Sequence, residues 1–524
     1  MLGVMASMYV VSKYMNITIN MNIRNILKTA GLAAAVLLAS PVLPSCQEKV
    51  NAPATEYTIE PVRKEFVFSF RSESKKSMVQ TNAPIWMVQS NYSWILAEIV
   101  ESDSDGKIVQ ITVDENESGE KRSGSFDLIA VDEAGHELAR KSVEVVQNPK
   151  SGVVDGAVLF EDEEFENYII SSFDRDGDGI LSLEEAEAII EIDIENMGIK
   201  SVEGVRYFKN LETLDVNENN LKQLDLSGLE NLKYVYFNMN KVSSFKVEGC
   251  SKLQSVMGRS NNLTKVDFSG QKKSLQVLDL MQNQLTELDL SGMSLLEYVA
   301  LGKNSITTLK TAGCDSLAIF SCNENNISTL ELKDSKALLT LDCSSNYITE
   351  LNLTANVKLG ELKVNGNTTM NALDLSKCPI INLNISKTGI SSLKLKDPSI
   401  VMTLRLSESS CKALDLTAFK ALEILDCSGI QFDTPLNVSD NLKLKELICA
   451  NSNLTSLDLL KQVDLQVVDV QNNTISALDL GNADKLTEVN VKGNCNIKLI
   501  LPKSLESSQT LKIFKDGDCI QTYR

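Results

Sequence analysis

The chain has 524 residues, with 70 acidic against 51 basic side chains, a net charge of −19 and a single histidine, His136. That balance repels nucleic acid and anionic lipid, and suits a cation such as calcium. One histidine, outside the long C-terminal region, excludes His-based triads and His metal sites there. Carboxylate pairs on so acidic a surface are usually solvated neighbours, and no nucleophile–base constellation or phosphate loop occurs. The expectation is a non-enzymatic protein.

Arg24 and Lys28 precede an apolar run from Ala30 to Leu43, which ends Leu43-Pro44-Ser45-Cys46. Positive, then apolar, then small residues is the order of a secretory signal. The run is too short for the ~20 residues of a membrane-spanning helix. A cysteine after the small residue resembles the lipobox of bacterial lipoproteins, with Pro44 a departure at the middle position. The resemblance implies that 1–45 is a signal peptide and that Cys46 is lipidated at the head of a tether, 46–54. Met21 is a candidate for the true start, because residues 1–20 add nothing a signal needs. Removing the three cations of the signal takes the net charge from −19 to about −22. Gln47-Glu48-Lys49 echoes the charged signals that send Bacteroidetes-type lipoproteins to the cell surface. The implied location is the outer membrane, facing outward, with membrane contact through the lipid alone.

From 55 to 150 apolar residues alternate: Phe66, Phe68 and Phe70, Ile111 and Val113, Phe126 and Leu128, Val143 and Val145. Period two means half-buried strands, and turn-rich pieces at 102–106 and 115–119 separate them. Several short strands in this length predict a small antiparallel immunoglobulin-like β-sandwich. Trp94, the run Asn116-Glu117-Ser118-Gly119-Glu120-Lys121-Arg122-Ser123-Gly124 and the closing Val143-Glu144-Val145-Val146-Gln147 resemble the BACON domain. That resemblance implies either a spacer or carbohydrate binding. Trp86 and Trp94 could stack on a sugar, although a core tryptophan is the commoner role.

Asp174-Arg175-Asp176-Gly177-Asp178-Gly179-Ile180-Leu181-Ser182-Leu183-Glu184-Glu185 matches the EF-hand calcium loop throughout. Asp174, Asp176 and Asp178 supply carboxylates at loop positions 1, 3 and 5, and Gly179 permits the turn. Ile180 offers its carbonyl to the ion and its side chain to the core. Ser182 acts through a water, and Glu185 at position 12 can bind with both oxygens. Phe165, Tyr168, Ile169 and Phe173 form a helical face before the loop, and Leu183, Ala186 and Ile190 one after it. The module, 155–190, has no paired second loop, which favours a structural Ca2+ over a switch.

Self-similarity dominates 189–500. Leu211, Leu232, Leu253, Leu275, Leu296, Leu317, Leu338, Leu359, Ile380, Val401, Leu422, Leu444, Leu465 and Leu486 lie 21 apart, with 22 after Leu253 and Leu422. An incomplete turn starts near Ile189. The unit LxxLxLxxNxLxxLxL resembles the leucine-rich-repeat superfamily, which implies a solenoid of about 14 coils. Its second half repeats LxxLxL where many relatives carry a helix, so strands are expected on both sides. Asn219, Asn240, Asn283, Asn304, Asn325, Asn346 and Asn473 mark a turn where inward amides can bridge coils. Thr388, Ser409, Ile430 and Ser452 interrupt that series, so the middle should be less regular. Cys322, Cys343, Cys427 and Cys449 share one inward position, and Cys250 and Cys314 another. They read as buried small hydrophobes, with disulfides Cys322–Cys343 and Cys427–Cys449 the less favoured alternative. Solenoid ends need caps: the calcium module at one end, and 501–524, with Leu511, Ile513 and Phe514, at the other.

Together these readings predict a monomeric, mainly β, lipid-anchored surface protein whose solenoid binds an extracellular protein or glycan. A carbohydrate-capturing accessory lipoprotein of a polysaccharide-uptake system and a periplasmic scaffold are the alternatives. The ligand face is assigned to outward strand positions: Tyr234, Tyr236 and Tyr298, with an acidic stripe of Asp215, Asp279, Asp342, Asp426 and Asp469 that would favour a basic partner.

Overall fold

The computed structural model describes residues 56–100 and 107–524, so the signal segment, Cys46, the tether and the turn at 102–106 lie outside the described residues. The chain divides into two compact units. One holds the described residues up to Ile189 together with Ser201–Phe208; the other holds Ile190–Lys200 and Lys209–Arg524.

In the first unit, β1 (Ile59–Pro61), β3 (Glu73–Thr81), β6 (Lys107–Val113) and β5 (Ile95–Val100) form one four-stranded sheet. A second contains β2 (Glu65–Phe68), β8 (Glu137–Gln147), β7 (Arg122–Val131) and β4 (Ile85–Ser90). Their inward residues build one core, including Phe66, Phe68, Ile111, Phe126, Leu128 and Val145. The period-two pattern thus places the strands as expected, with one departure: β2 pairs with β8 in parallel. The first sheet takes β1, and the chain then crosses to the second as β2 before returning, which leaves β2 running alongside the last strand.

β9 (Gly152–Val154) and β10 (Ala157–Leu159) form a hairpin whose edge takes β11 (Leu181–Ser182). Between them runs α1 (Glu163–Phe173), capped by the Asp162 side chain accepting from the Glu164 and Phe165 amides. Phe165 and Ile169 bury its inner face. The following α2 is only Leu183–Glu187, closed by a capping box of Ser182 and Glu185. Because α2 stops after little more than a turn, Leu183 and Ile190 are exposed, and Ala186 and Ile189 do the packing instead. Segment 201–208 packs into this same unit. Gly204, at φ +106°, lies so close to Phe160 that a Cβ there would meet the ring at 2.8 Å, so only glycine serves.

The second unit is a leucine-rich-repeat solenoid. Its main sheet has 16 parallel strands in sequence order, from Glu191–Asp193 to Lys512–Phe514. Fourteen are the aligned repeats; the others are the incomplete turn at the start and a strand from the terminal 501–524 segment. That segment is therefore a final coil: Lys512–Phe514 extends the main sheet, and Ile520–Tyr523 pairs with Lys498–Leu501 on the opposite side. Strands on that opposite side are present but discontinuous. Two-stranded patches occur at Gln223–Asp225 with Ser244–Lys246, Glu287–Asp289 with Thr308–Lys310, and Asp374–Leu375 with Lys394–Leu395. A three-stranded patch closes the array.

The asparagine ladder forms as the spacing predicts. Asn346 donates from Nδ2 to the carbonyls of Cys322, Cys343 and Ser344, while its Oδ1 accepts from the Ile327 amide at 2.9 Å. One side chain thereby satisfies buried backbone groups of adjacent coils. Asn261, Asn367 and Asn494 do the same. The residue before each ladder position takes positive φ: Glu218, Met239, Lys303 and Glu408 as well as Gly366, Gly429 and Gly493. For the non-glycines this costs roughly 1–2 kcal/mol each, which the ladder must hold in place. The expected irregularity at Thr388, Ser409, Ile430 and Ser452 is confined to the ladder. The Thr388 hydroxyl reaches only Ile385 O, and the Ser409 hydroxyl is buried without a partner. The main sheet runs through in unbroken register, because its inter-strand backbone bonds do not depend on the turn amide.

Candidate functional site

Three places carry the residue types singled out by the sequence. The first is the acidic loop 174–185. Carboxylate oxygens of Asp174, Asp176 and Glu185 lie within 4.8 Å of one another, a spacing that one cation can bridge. The loop is shaped by its own acids. Asp174 accepts from the Gly177 amide (2.7 Å) and the Gly179 amide (2.9 Å), Asp176 from Asp178, and Asp178 from Ile180. Gly177 (φ +76°) and Gly179 (φ +85°) take backbone conformations that side chains resist. Glu185 reaches across, accepting from the Arg175 amide at 2.7 Å and from the Ser182 amide and hydroxyl. These bonds stabilise the charged form and lower its carboxyl to about 2. Asp178 is not in the close group. Ile180 needs correction: its side chain is 45% exposed, and Leu181, fully buried, supplies the loop's core contact. The strand alternation of β11 explains this, since neighbouring residues face opposite sides. β11 pairs with β10, so a hairpin strand occupies the place a second loop's strand would take.

The second place is the strand face of the solenoid. Tyr236 does not stay available there: it is 5% exposed between Asp215 and Met257 on the flanking strands, and burial pushes its phenol upward. Tyr234 and Tyr298 are half-buried, and the Tyr234 hydroxyl donates to Gln254 Oε1 at 3.2 Å. The acidic stripe is also partly committed. Asp215, Asp279, Asp342, Asp426 and Asp469 each accept from the amide two residues on, at Asn217, Met281, Ser344, Ser428 and Gln471. These are Asx turns that steer the chain out of the strand. Asp215 and Asp279 are 8% exposed, and Asp279 pairs with Arg259 at 2.8 Å. A buried carboxylate held by a turn is poorly placed to attract a basic partner, so the stripe is first a structural device.

The third place is the β domain. Trp86 and Trp94 both pack against its core. The Arg122 guanidinium lies 4.4 Å over the Trp94 ring and donates to Gln147 Oε1. Buried Gln147 donates in turn to the carbonyls of Phe70, Arg71 and Asp114. Buried Asn116 ties Glu120 O to Asn148 O. The residues that carried the domain resemblance therefore meet in one structural knot, with the Trp94 ring covered by Arg122 and Trp86 partly buried against the core.

The described cysteines form no disulfide. Eight of the ten described are buried, and Cys322, Cys343, Cys427 and Cys449 occupy the inward position. Burial pushes the thiols of Cys322 and Cys343 well up, and a hydrogen bond with Cys449, together with burial, does the same to Cys427. Cys250, Cys314 and Cys378 donate to the preceding coil's Leu226, Leu290 and Leu353 carbonyls. Gln271, Asn356, Asn441 and Gln462 stand in the same register and do likewise. A second, mixed ladder thus lines the opposite turn, which the sequence analysis missed.

No family model matches the chain, and no curated protein matches it. Among solved structures, the functional domain of InlJ from Listeria monocytogenes, described as including a cysteine ladder, is 26% identical, with a TM-score of 0.60 over 64% of this chain and 74% of that one. An internalin, InlF, from the same organism gives 16% identity and a TM-score of 0.43 over 69% and 95%. YopM from Yersinia enterocolitica gives 19% and 0.34 over 64% and 91%. The InlJ likeness agrees with the leucine-rich-repeat fold derived above. Among the described residues no helix is long and apolar enough to cross a membrane.

Proposed function

We propose that this chain is a non-enzymatic, lipid-anchored surface protein whose solenoid binds a protein ligand across its main strand face. The observation that carries this reading is the 16-stranded parallel sheet, an uninterrupted rack of outward side chains on a rigid scaffold. The fold likeness to a bacterial leucine-rich-repeat domain supports it. Cys46 would hold the lipid, and the β domain would act as the spacer. The experiment is capture of ligands by the full mature chain from extracellular protein, repeated with Tyr234→Ala plus Tyr298→Ala. Loss of capture without a change in melting supports the strand face. Unchanged capture moves the ligand site elsewhere.

Calcium belongs to the same proposal. Asp174, Asp176 and Glu185 would hold the ion, with Asp178, the Ile180 carbonyl and Ser182 adding oxygens to a set that suits a hard cation. Its role is structural: the loop shares a unit with Ser201–Phe208, which lie in sequence between the first two strands of the solenoid sheet. A ligand at 100 times its dissociation constant adds about 2.7 kcal/mol. Chelation should therefore lower the melting temperature, and Glu185→Gln should abolish the difference; identical melting with and without chelator refutes the role.

The carbohydrate-capture alternative has one observation in its favour. Tyr92, 47% exposed, borders a shallow polar depression with Ser125, Ser142 and Glu144. A polysaccharide pulldown compared between wild type and Tyr92→Ala tests it.

A further inference from the structure

Along the main sheet, the outward position after the central leucine reads Asp193, Asp215, Tyr236, Met257, Asp279, Ala300, Ser321, Asp342, then Lys363, Asn384, Arg405, then Asp426. Elsewhere in the series the acids are absent from at most two successive coils; here they are absent from three, two of which carry a cation. Over the same coils the chain forms a depression of about 280 Å³, bordered by Glu361, Lys363, Asn382, Asn384, Thr403, Arg405 and Ile424. Its origin is steric. Two asparagines and a threonine on adjacent strands are short, while Lys363 on one side and Arg405 and Ile424 on the other are long.

Several polar groups here are uncommitted. The solenoid unit has three arginines. Arg259 pairs with Asp279 at 2.8 Å and Arg524 with Asp479 at 3.1 Å, whereas among the described residues no ion pair or side-chain hydrogen bond engages Arg405. Asp426 is its register partner on the next strand, but that carboxylate is turned to the Ser428 amide. Asn384 uses only Oδ1, accepting from the Ser386 amide at 3.0 Å, so its Nδ2 is free to donate. The Asn382 carboxamide and Thr403 hydroxyl make no bond among the described residues. Glu361, the one carboxylate on the rim, is held by Lys363 at 3.1 Å, so the two charges offset each other on the side away from Arg405. One guanidinium, flanked by amide and hydroxyl donors, therefore faces the depression.

We infer that this depression, from Asn382 to Arg405, receives a single carboxylate of a peptide segment belonging to the protein ligand. The inference rests on the strand-face reading above and adds the chemistry recognised. A guanidinium grips a carboxylate with two parallel bonds, and the carboxamide of Asn382 offers both a donor and an acceptor to a peptide backbone. No aromatic ring borders the depression, so it lacks the stacking platform that a sugar ring favours. The acids on both sides, Asp342 and Asp426, repel an extended anion and tolerate an isolated one with neutral or basic neighbours. The preferred segment is thus an Asp or Glu flanked by Lys or Arg, the reverse at its centre of the purely basic partner that the acidic stripe suggested.

The test uses the full mature chain and capped heptapeptides of glycine and serine, with a central Glu between two lysines, against the matched peptide with Gln. Binding is read by fluorescence anisotropy at low ionic strength. The Glu peptide should bind wild type at least tenfold more tightly than the Gln peptide. Arg405→Ala should bring the two together, and Arg405→Lys should keep part of the preference. Melting curves of both variants, expected unchanged because Arg405 is half-exposed on the sheet surface, guard against misfolding. Equal or absent binding of the two peptides by wild type overturns the inference, as does a Glu preference that survives Arg405→Ala. If both peptides bind equally and Tyr234→Ala plus Tyr298→Ala weakens them, the strand face stands and only this site falls. Arg405-dependent binding of a glucuronate oligosaccharide in place of the peptides overturns it in favour of a glycan.

Discussion

Asp215 offers a sharp test of the electrostatics at the start of the solenoid. Burial, reinforced by Asp193 and Glu195 and opposed by the Asn217 amide, pushes its carboxyl up to about 7. In the unfolded chain it would titrate near 3.8. Between these values the folded state holds a proton that the unfolded state has lost, so stability falls as pH rises from about 4 to about 7 and then levels. Each unit of difference is worth about 1.4 kcal/mol, so the penalty that accrues between pH 5 and pH 8 is roughly 2–3 kcal/mol. Asp215→Asn removes the charge and keeps an oxygen to accept from Asn217. The variant should gain roughly 2–3 kcal/mol more over wild type at pH 8 than at pH 5. Hydrogen exchange of residues 190–240, measured at both pH values and corrected for intrinsic rates, reads that gain where it arises. Denaturant unfolding gives the global figure. Equal gains at both pH values would show that Asp215 is ionised throughout and that its burial is relieved by water.

Further outcomes concern the ladders and the thiols. Asn346→Ala strands the Ile327 amide and removes one of two donors from the Cys322, Cys343 and Ser344 carbonyls, which keep Asn325, Asn367 and the Glu324 amide; at about 1–3 kcal/mol for the stranded group plus the weakened bonds, the loss should be roughly 2–4 kcal/mol in denaturant unfolding. Ser409→Asn restores an amide where a buried hydroxyl has no partner and should stabilise by about 1 kcal/mol; a destabilised variant would mean that these coils have closed around the smaller side chain. With eight of the ten described cysteines buried and outside any disulfide, a thiol reagent should modify Cys495 quickly, Cys519 slowly and the rest only after denaturation. Mass spectrometry of native protein showing a Cys322–Cys343 or Cys427–Cys449 disulfide would contradict that arrangement.

What could be read from the sequence follows from how tightly each feature constrains residue choice. The inward leucines and the ladder asparagines each have one physical solution per coil. A 21-residue period therefore fixes the coil register, and only the terminal strand, expected as part of a cap, escapes the count. The opposite turn has several solutions. Leu229, Cys250, Gln271, Met293, Cys314, Asn356 and Ala483 all fill the equivalent inward site. Filling it by packing or by an amide that reaches the previous coil serves equally, so no consensus marks the second ladder. In the calcium loop, the carboxylate positions follow from ligand chemistry. Which of Ile180 and Leu181 turns inward depends on β11 pairing with a hairpin strand distant in sequence.

The outward positions resisted reading for a different reason. Exposure along a strand was inferred from alternation alone, which correctly separates core leucines from the rest. It cannot separate an outward side chain in water from one covered by neighbouring coils 4.8 Å away. Tyr236 is covered in this way and Tyr234 is not, although both flank the same inward Val235. The aspartates obey a further local rule, since an Asp at a strand's end can accept from the amide two residues ahead. The opposite side repeats it, with Asp225 accepting from Ser227, Asp289 from Ser291 and Asp374 from Ser376. An acid that recurs on both sides of every few coils is thus explained by chain geometry before any partner is invoked. The places where that turn chemistry is absent are then the informative ones. Arg405 stands at such a place. Its strand ends without an aspartate and its guanidinium serves no turn, so its charge is available to the carboxylate proposed above.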